Sequence, residues 1–366
     1  WCEGRDSNPH TLRRQDLNLV RLPISPPSRV FNKTGRSGLS LSLYRMAWLN
    51  PWGPTMQTMN EPGLGQALHG GHHYENFPVA SWLLPARMRQ PMLALYAFAR
   101  TGDDLADEGD DPPDVRLKAL EDLRSGLTLL PTEARTPLSQ IGATLAQACR
   151  AQALATAPAH ALIDAFSHDA AFEPFSDWAG IADYCAHSAN PVGRMVLGFA
   201  GLAQEEPAVA ASMERASDAI CSGLQLVNFA QDFGQDLGRN RPTLPQVLWP
   251  EQWSWHAEQR SLIATQSLSA EQQAGMTRVL ARRGLELLDS ARALPAMIRR
   301  SRLSGRRRLS LEIALTIAGG CAIGERVMAS PLEPWTTSPK LSRMDMLKLI
   351  PRALVLWLAP GAEPTP

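Results

Sequence analysis

Charge of one sign is what this sequence lacks first. Its 36 Lys and Arg cancel its 36 Asp and Glu, so the overall basic footprint of a nucleic-acid binder is absent. No apolar run reaches the roughly 18 residues that would suggest a membrane-spanning helix. The five cysteines, Cys2, Cys149, Cys185, Cys221 and Cys321, are scattered with no C-x-x-C pair. That spacing indicates neither a disulfide framework nor a zinc site, and a reducing, cytoplasmic setting fits it best. Aromatic residues make up only 6%, and Val and Ile are thin while Ala, Leu, Arg and Gln abound. This composition points to an all-α fold. No internal repeat of the solenoid kind is evident. With 366 residues the chain can bury a sizeable core in one large domain or two smaller ones.

Residues 1–58 differ from the rest. They open with Trp1 rather than Met and carry Arg, Asn, Ser and Pro without a sustained apolar period. A disordered arm is one reading. The reading adopted is upstream sequence translated from an early start, with Met56 or Met59 as the natural beginning. A secretory signal would need a compact apolar core and a small-residue cleavage site, and neither is present. Residues 59–330 are expected to form the main domain and 331–366 a C-terminal tail.

From His69 the sequence tightens. Pro91 suits the first turn of a helix, and helical periodicity runs from Met92 to Glu108. On that helix Tyr96, Arg100, Asp103 and Asp107 fall within roughly 60° of one another. Asp104, Glu108, Asp110 and Asp111 are read as a solvated acidic face. Further helices are predicted at 113–130, 136–157, 159–171, 177–202, 208–237, 269–301 and 306–328. The fourth of these should kink at Asn190-Pro191 and carries Tyr184, His187 and Arg194 as its polar residues. In the tail, Lys340 to Leu358 combines Leu, Met and Trp357 with Lys340, Arg343, Lys348 and Arg352. An interfacial amphipathic helix and a last helix docked on the core both remain open, and Pro351 interrupts the segment.

The stretch with the most unusual chemistry is Gln225 to Asp236. Gln225, Asn228, Asp232 and Asp236 fall within roughly 80° on a helical wheel, beside an apolar face of Leu226, Val227, Phe229 and Phe233. Like charges at i, i+4 destabilise a helix, and here they sit near the end where the macrodipole disfavours them. Asp103 and Asp107 repeat the D-x-x-x-D spacing, also near a helix end. Local rules broken together mark a site. Two carboxylates about 6 Å apart at an effective dielectric near 20 repel by about 3 kcal/mol. If the two helices face each other, Mg²⁺ bridged to a diphosphate would cancel that charge. Arg100, Arg239 and Arg241 could then grip outer phosphate oxygens. The implied reaction is ionisation of an allylic or cyclopropylcarbinyl diphosphate in an apolar cavity.

These motifs resemble the squalene and phytoene synthases, which are class I all-α isoprenoid synthases with a helical bundle around a central cavity. The resemblance covers roughly residues 70–330 and rests on Tyr96 through Asp107, Gln225 through Asp236, and Arg239-Asn240-Arg241. It implies that Asp103, Asp107, Asp232 and Asp236 hold two or three Mg²⁺ ions on the diphosphate, which Arg100 and Arg241 contact. Gln225 and Asn228 would sit beside the second acidic pair. Tyr184 falls in a Tyr-Cys segment that lines the family's cavity and is a candidate to steer proton or water chemistry. His73, Asn76 and Phe77 match the family's His-x-x-Ser-Phe, with Asn76 in place of serine. Ser188 to Arg194 stands where relatives commonly have Val-Ala-Gly. Both departures resemble the hydroxysqualene synthases of bacterial hopanoid pathways, in which water captures the cation formed from presqualene diphosphate and no NADPH is needed. Asn76, Asn190 and Arg194 are candidates to position that water. The alternatives are presqualene diphosphate synthase, a squalene or phytoene synthase, and a non-catalytic helical scaffold. No nucleic-acid partner is expected, and a peripheral contact with the inner membrane is left open.

Overall fold

The computed structural model describes residues 84–107 and 111–359; the reading of residues 1–58, with His73, Asn76 and Phe77, lies outside them. Twelve α-helices follow in order within the described residues: α1 Ala86–Asp107, α2 Pro113–Gly126, α3 Pro137–Arg150, α4 Ala157–Ala170, α5 Trp178–His187 and α6 Asn190–Ala200, then α7 Pro207–Gln231, α8 Phe233–Gly238, α9 Ala270–Ser290, α10 Leu294–Arg300, α11 Arg306–Ala329 and α12 Arg343–Leu358. Their ends follow local chemistry. Proline occupies one of the first two positions of α2, α3, α4, α6, α7 and α10, where its missing N–H costs nothing. Reciprocal capping boxes start α3 at Thr136/Ser139, α9 at Ser269/Gln272 and α12 at Ser342/Asp345, each satisfying backbone donors that the helix itself leaves unpaired.

Several sequence-based expectations need correction. The first helix begins at Ala86, ahead of Pro91, which lies inside it. The expected kink at Asn190-Pro191 is a break: α5 ends at His187, and α6 restarts with Pro191 in its first turn. The 208–237 helix is interrupted at Asp232 (φ −99°, ψ 13°), and the 269–301 helix divides before Pro295. Pro351 does not interrupt the tail, since α12 runs through it. An antiparallel hairpin that the sequence did not suggest, β1 Trp253–His256 with β2 Ser261–Ala264, pairs Trp253 with Ala264. It is pinned to the segment after α4: Trp255 Nε1 donates to Glu173 Oε2 (2.8 Å) and Arg260 Nη2 to Ala171 O (2.9 Å).

One apolar core joins the helices, with Phe98, Leu145, Phe199, Val227, Phe233, Leu288 and Ile317 all fully shielded. At its centre α7 and α9 meet backbone to backbone. A Cβ on Gly223 would stand 2.9 Å from Gly284 O, and one on Gly284 would stand 2.8 Å from Gly223 O. Such spacing excludes any side chain from the crossing. A smaller core of Ala314, Ala318, Leu349 and Ala353 docks α12 on α11. No helix among the described residues is long and apolar enough to cross a membrane.

Candidate active site

The two acidic segments enter the site from different directions. The first lies at the C-terminal end of α1, where Asp107 is the last helical residue. The second spans the break between α7 and α8: Asp232 ends one helix and precedes the other, and Asp236 lies in the first turn of α8. Asp236 therefore stands toward a helix start rather than at the unfavourable end expected from one continuous helix. Asp232 and Asp236 are only 5% and 2% exposed, and Gln225 is buried with them. Asn228 is half-buried and holds its place in the ladder through Asp232 N–H donating to Asn228 O (2.9 Å).

A turn after α8 sends Arg241 back into the protein. Arg241 N–H bonds to Asp236 O (2.8 Å) and Asn240 N–H to Leu237 O (3.0 Å), the pair of bonds that defines a Schellman turn. Asn240 takes the left-handed conformation this turn needs (φ 56°), which asparagine tolerates better than most residues. The Arg241 guanidinium then forks. Nη1 pairs with Asp107 Oδ1, and Nη2 reaches Asp169 Oδ1 at 2.7 Å. Asp169 Oδ2 accepts the Tyr184 hydroxyl at 2.7 Å. Helices α1, α4 and α5 and the end of α8 thus share one buried ionic cluster. Two carboxylates against one guanidinium need the added tyrosine hydrogen bond to remain buried.

An aromatic wall continues from the cluster. The Arg241 Cζ stands 5.6 Å from the Phe172 ring centroid, and the Phe175–Tyr184, Tyr184–Phe229 and Phe175–Phe229 centroids are 5.3, 5.9 and 6.0 Å apart. Ring faces carry negative charge and favour a neighbouring cation. Next in sequence to Tyr184, burial pushes the Cys185 thiol up to about 12, so it is a neutral packing group rather than a thiolate.

The second acidic segment is covered by residues 331–342, a strap between α11 and α12. Ser338 Oγ donates to Asp232 Oδ1, Gln235 Nε2 donates to Ser338 Oγ, and Gln231 Nε2 donates to Pro339 O at 2.6 Å. The Trp335 ring lies 4.9 Å from Phe233. Close approach is possible because Gly234 faces the Trp335 carbonyl with no side chain between them.

Of the residues singled out from sequence, the structure brings together Asp107, Arg241 and, through Asp169, Tyr184. Asp103, Tyr96 and Arg100 line the same helix half-buried. Arg100 pairs with Asp104 at 2.7 Å, so Asp104 is an ion-pair partner rather than part of a solvated face. Arg239 is exposed. Arg194, considered for water positioning, is also exposed and forms a two-pronged pair with Asp218 (3.0 and 2.6 Å), which raises its already high pKa. Asn190 is buried. With its amide nitrogen turned toward Ser222 Oγ (2.9 Å) and Asp218 O (3.0 Å), it ties α6 to α7, as its hydrogen-bonding surroundings require. Asp169 was missed. Its signal was an acid on the apolar stripe of α4, three residues after Phe166 and seven after Leu162. Among the described residues no three His, Cys, Asp or Glu side chains form a group arranged to hold a metal ion.

The squalene/phytoene synthase family profile matches residues 71–345. The chain belongs to this family. Hydroxysqualene synthase from Sinorhizobium fredii is 37% identical over 186 residues, 50% of this chain and 59% of that protein. The enzyme of the same name from Zymomonas mobilis is 34% identical over 185 residues, 50% of this chain and 58% of its own length. The chain thus spans less than two thirds of these curated relatives. Among solved structures, a squalene synthase from Alicyclobacillus acidocaldarius is 29% identical with a TM-score of 0.54, covering 72% of this chain and 91% of that one. A dehydrosqualene synthase solved with a ligand is 18% identical, with the same TM-score over 74% and 88%, a likeness of fold. The fold is the all-α bundle of the class I isoprenoid synthases.

Proposed function

We propose that this chain is a hydroxysqualene synthase: it ionises presqualene diphosphate, releases diphosphate and lets water capture the carbocation. The observation that carries the reading is the buried guanidinium of Arg241, which ties the acid ending α1 to the turn that follows the second acidic segment. Likeness to hydroxysqualene synthases from several bacteria supports the choice of product.

In the proposed step the C–O bond to diphosphate breaks and its electron pair leaves with the phosphate. Water oxygen then bonds to the cation and gives up a proton, so the step consumes water and needs no hydride donor. Asp103, Asp107, Asp232 and Asp236 carry the hard oxygen donors that suit Mg²⁺; they form no common metal group as they stand, and would hold the ion once diphosphate is bound and Arg241 has released Asp107. Bound there, the ion would neutralise the leaving diphosphate. Arg241 is positioned to share that charge if its grip on Asp107 opens, with Arg100 on the first helix as a second cation. Phe172, Phe175 and Phe229 offer ring faces to a developing cation. Asp169 holds the Tyr184 hydroxyl as a fixed polar point beside these rings, a group whose oxygen could accept or relay the proton that water loses.

The test is product analysis by mass after incubation with Mg²⁺ and one substrate at a time. Presqualene diphosphate alone should give hydroxysqualene. Turnover of farnesyl diphosphate alone, with presqualene diphosphate untouched, would assign the chain to the preceding condensation instead.

A further inference from the structure

Six of the twelve exposed large apolar side chains among the described residues lie on α12: Met344, Leu347, Ile350, Leu354, Val355 and Leu358. On a helical wheel they occupy one continuous arc of about 140° with the exposed Pro351 among them, a stripe roughly 21 Å long. The opposite side of the helix, Leu349 and Ala353, is the side buried on α11. The stripe is therefore left over after the helix has docked. Contiguous apolar surface of this kind marks an interaction site.

Beside it lies a basic turn that the zero net charge of the whole chain conceals. Residues 299–308 contain six arginines and no acid, and Arg300, Arg302, Arg306, Arg307 and Arg308 are exposed. Glu205 accepts the backbone N–H of Arg302 on this turn. The turn is joined to α12 through Arg299, whose guanidinium stacks on Trp357 at 5.7 Å and whose Nη2 donates to Ala359 O at 3.2 Å. Trp357 itself stands about 20° from Ile350 around the wheel, at the edge of the stripe.

We propose that the outer face of α12, flanked by the 299–308 arginines, docks the protein on an anionic lipid bilayer surface. Apolar side chains entering the headgroup boundary beside arginines that meet phosphates are the two contributions such binding combines. Charge decides against two other occupants. A second copy of the chain would bring a second arginine-rich turn to the contact. Residues 1–83 are basic too, with eight Lys and Arg against five Asp and Glu. The proposal goes beyond the reaction above, and its readout needs no substrate, so failure of either leaves the other standing.

The experiment is co-sedimentation of the full chain with large unilamellar vesicles of phosphatidylcholine, with and without phosphatidylglycerol. Binding should require the anionic lipid and weaken with salt. A Leu347→Glu/Val355→Glu variant should partition about tenfold or more weakly while keeping its melting temperature, because both side chains are exposed. An Arg306→Gln/Arg307→Gln/Arg308→Gln variant should lose the preference for anionic lipid. No binding by the parent chain, unchanged binding by the Leu347/Val355 variant, or a dimer in sedimentation velocity that this variant dissociates would each overturn the proposal.

Discussion

Arg241 lies 134 residues beyond Asp107, yet its guanidinium closes on that carboxylate and on Asp169 as well. The contact draws the first acidic helix, α4 and the turn after α8 into one unit. Arg241→Met would leave two buried carboxylates facing each other. We expect a loss of about 3–5 kcal/mol in urea unfolding at pH 7, part of it returned by adding Asp169→Asn. A loss below about 1 kcal/mol would mean that the cluster is solvated in solution.

Asp103→Ala and Asp232→Ala should each abolish turnover of presqualene diphosphate while far-UV circular dichroism stays helical, since neither side chain belongs to the apolar core that holds the helices together. In the unaltered protein, Mg²⁺ with diphosphate at about a hundred times its dissociation constant should add about 2.7 kcal/mol of stability, read as a rise in Tm. Near-normal turnover by either variant would sink the assignment of those acids.

Ser338 fixes one oxygen of Asp232 from a strap more than a hundred residues away. Groups that orient a metal-holding carboxylate influence the metal itself. Ser338→Ala should raise the Mg²⁺ concentration for half-maximal turnover about tenfold with little change in Tm, and Ser338→Thr should restore it. An unchanged Mg²⁺ requirement would reduce the serine to packing.

Glu312 is buried on α11, its Oε2 has no hydrogen-bond partner among the described residues, and burial pushes its carboxyl up to about 7. A carboxyl raised in the folded state favours folding most below its unfolded pKa, and that contribution is lost as pH rises through the folded value. Glu312→Gln should therefore be near-neutral at pH 5 and stabilising above pH 7, by at most about 3 kcal/mol. Thermal melts of both proteins at pH 5 and pH 8.5 give the comparison, and a pH-independent difference would contradict it.

How much of this was legible in the sequence follows from the range of each interaction. The acids ending α1 and α7 and on α8, with Arg241 shortly after, stood out because spacing within a helix, or a few residues past it, is local; the pairing of Arg241 with Asp107 and Asp169 was not legible, since those partners are distant in sequence. Asp169 carried a local signal, an acid on an apolar stripe, but it stood alone and its partners are distant in sequence. Pro191 announced the interruption after His187 only as a kink, and the break at Asp232 was invisible because apolar periodicity continues across it, so that only tertiary contacts decide where the helix stops. The hairpin at 253–264 has strands of four residues each, too short to establish an alternating pattern. The arginine-rich turn was lost in the average, since a net charge reports a sum and not a place.

The crossing of α7 and α9 at Gly223 and Gly284 leaves no side chain to exchange. At this seam no residue can be trimmed, and any enlargement pushes two backbones apart. A mutational library across the chain therefore gains nothing from these two positions.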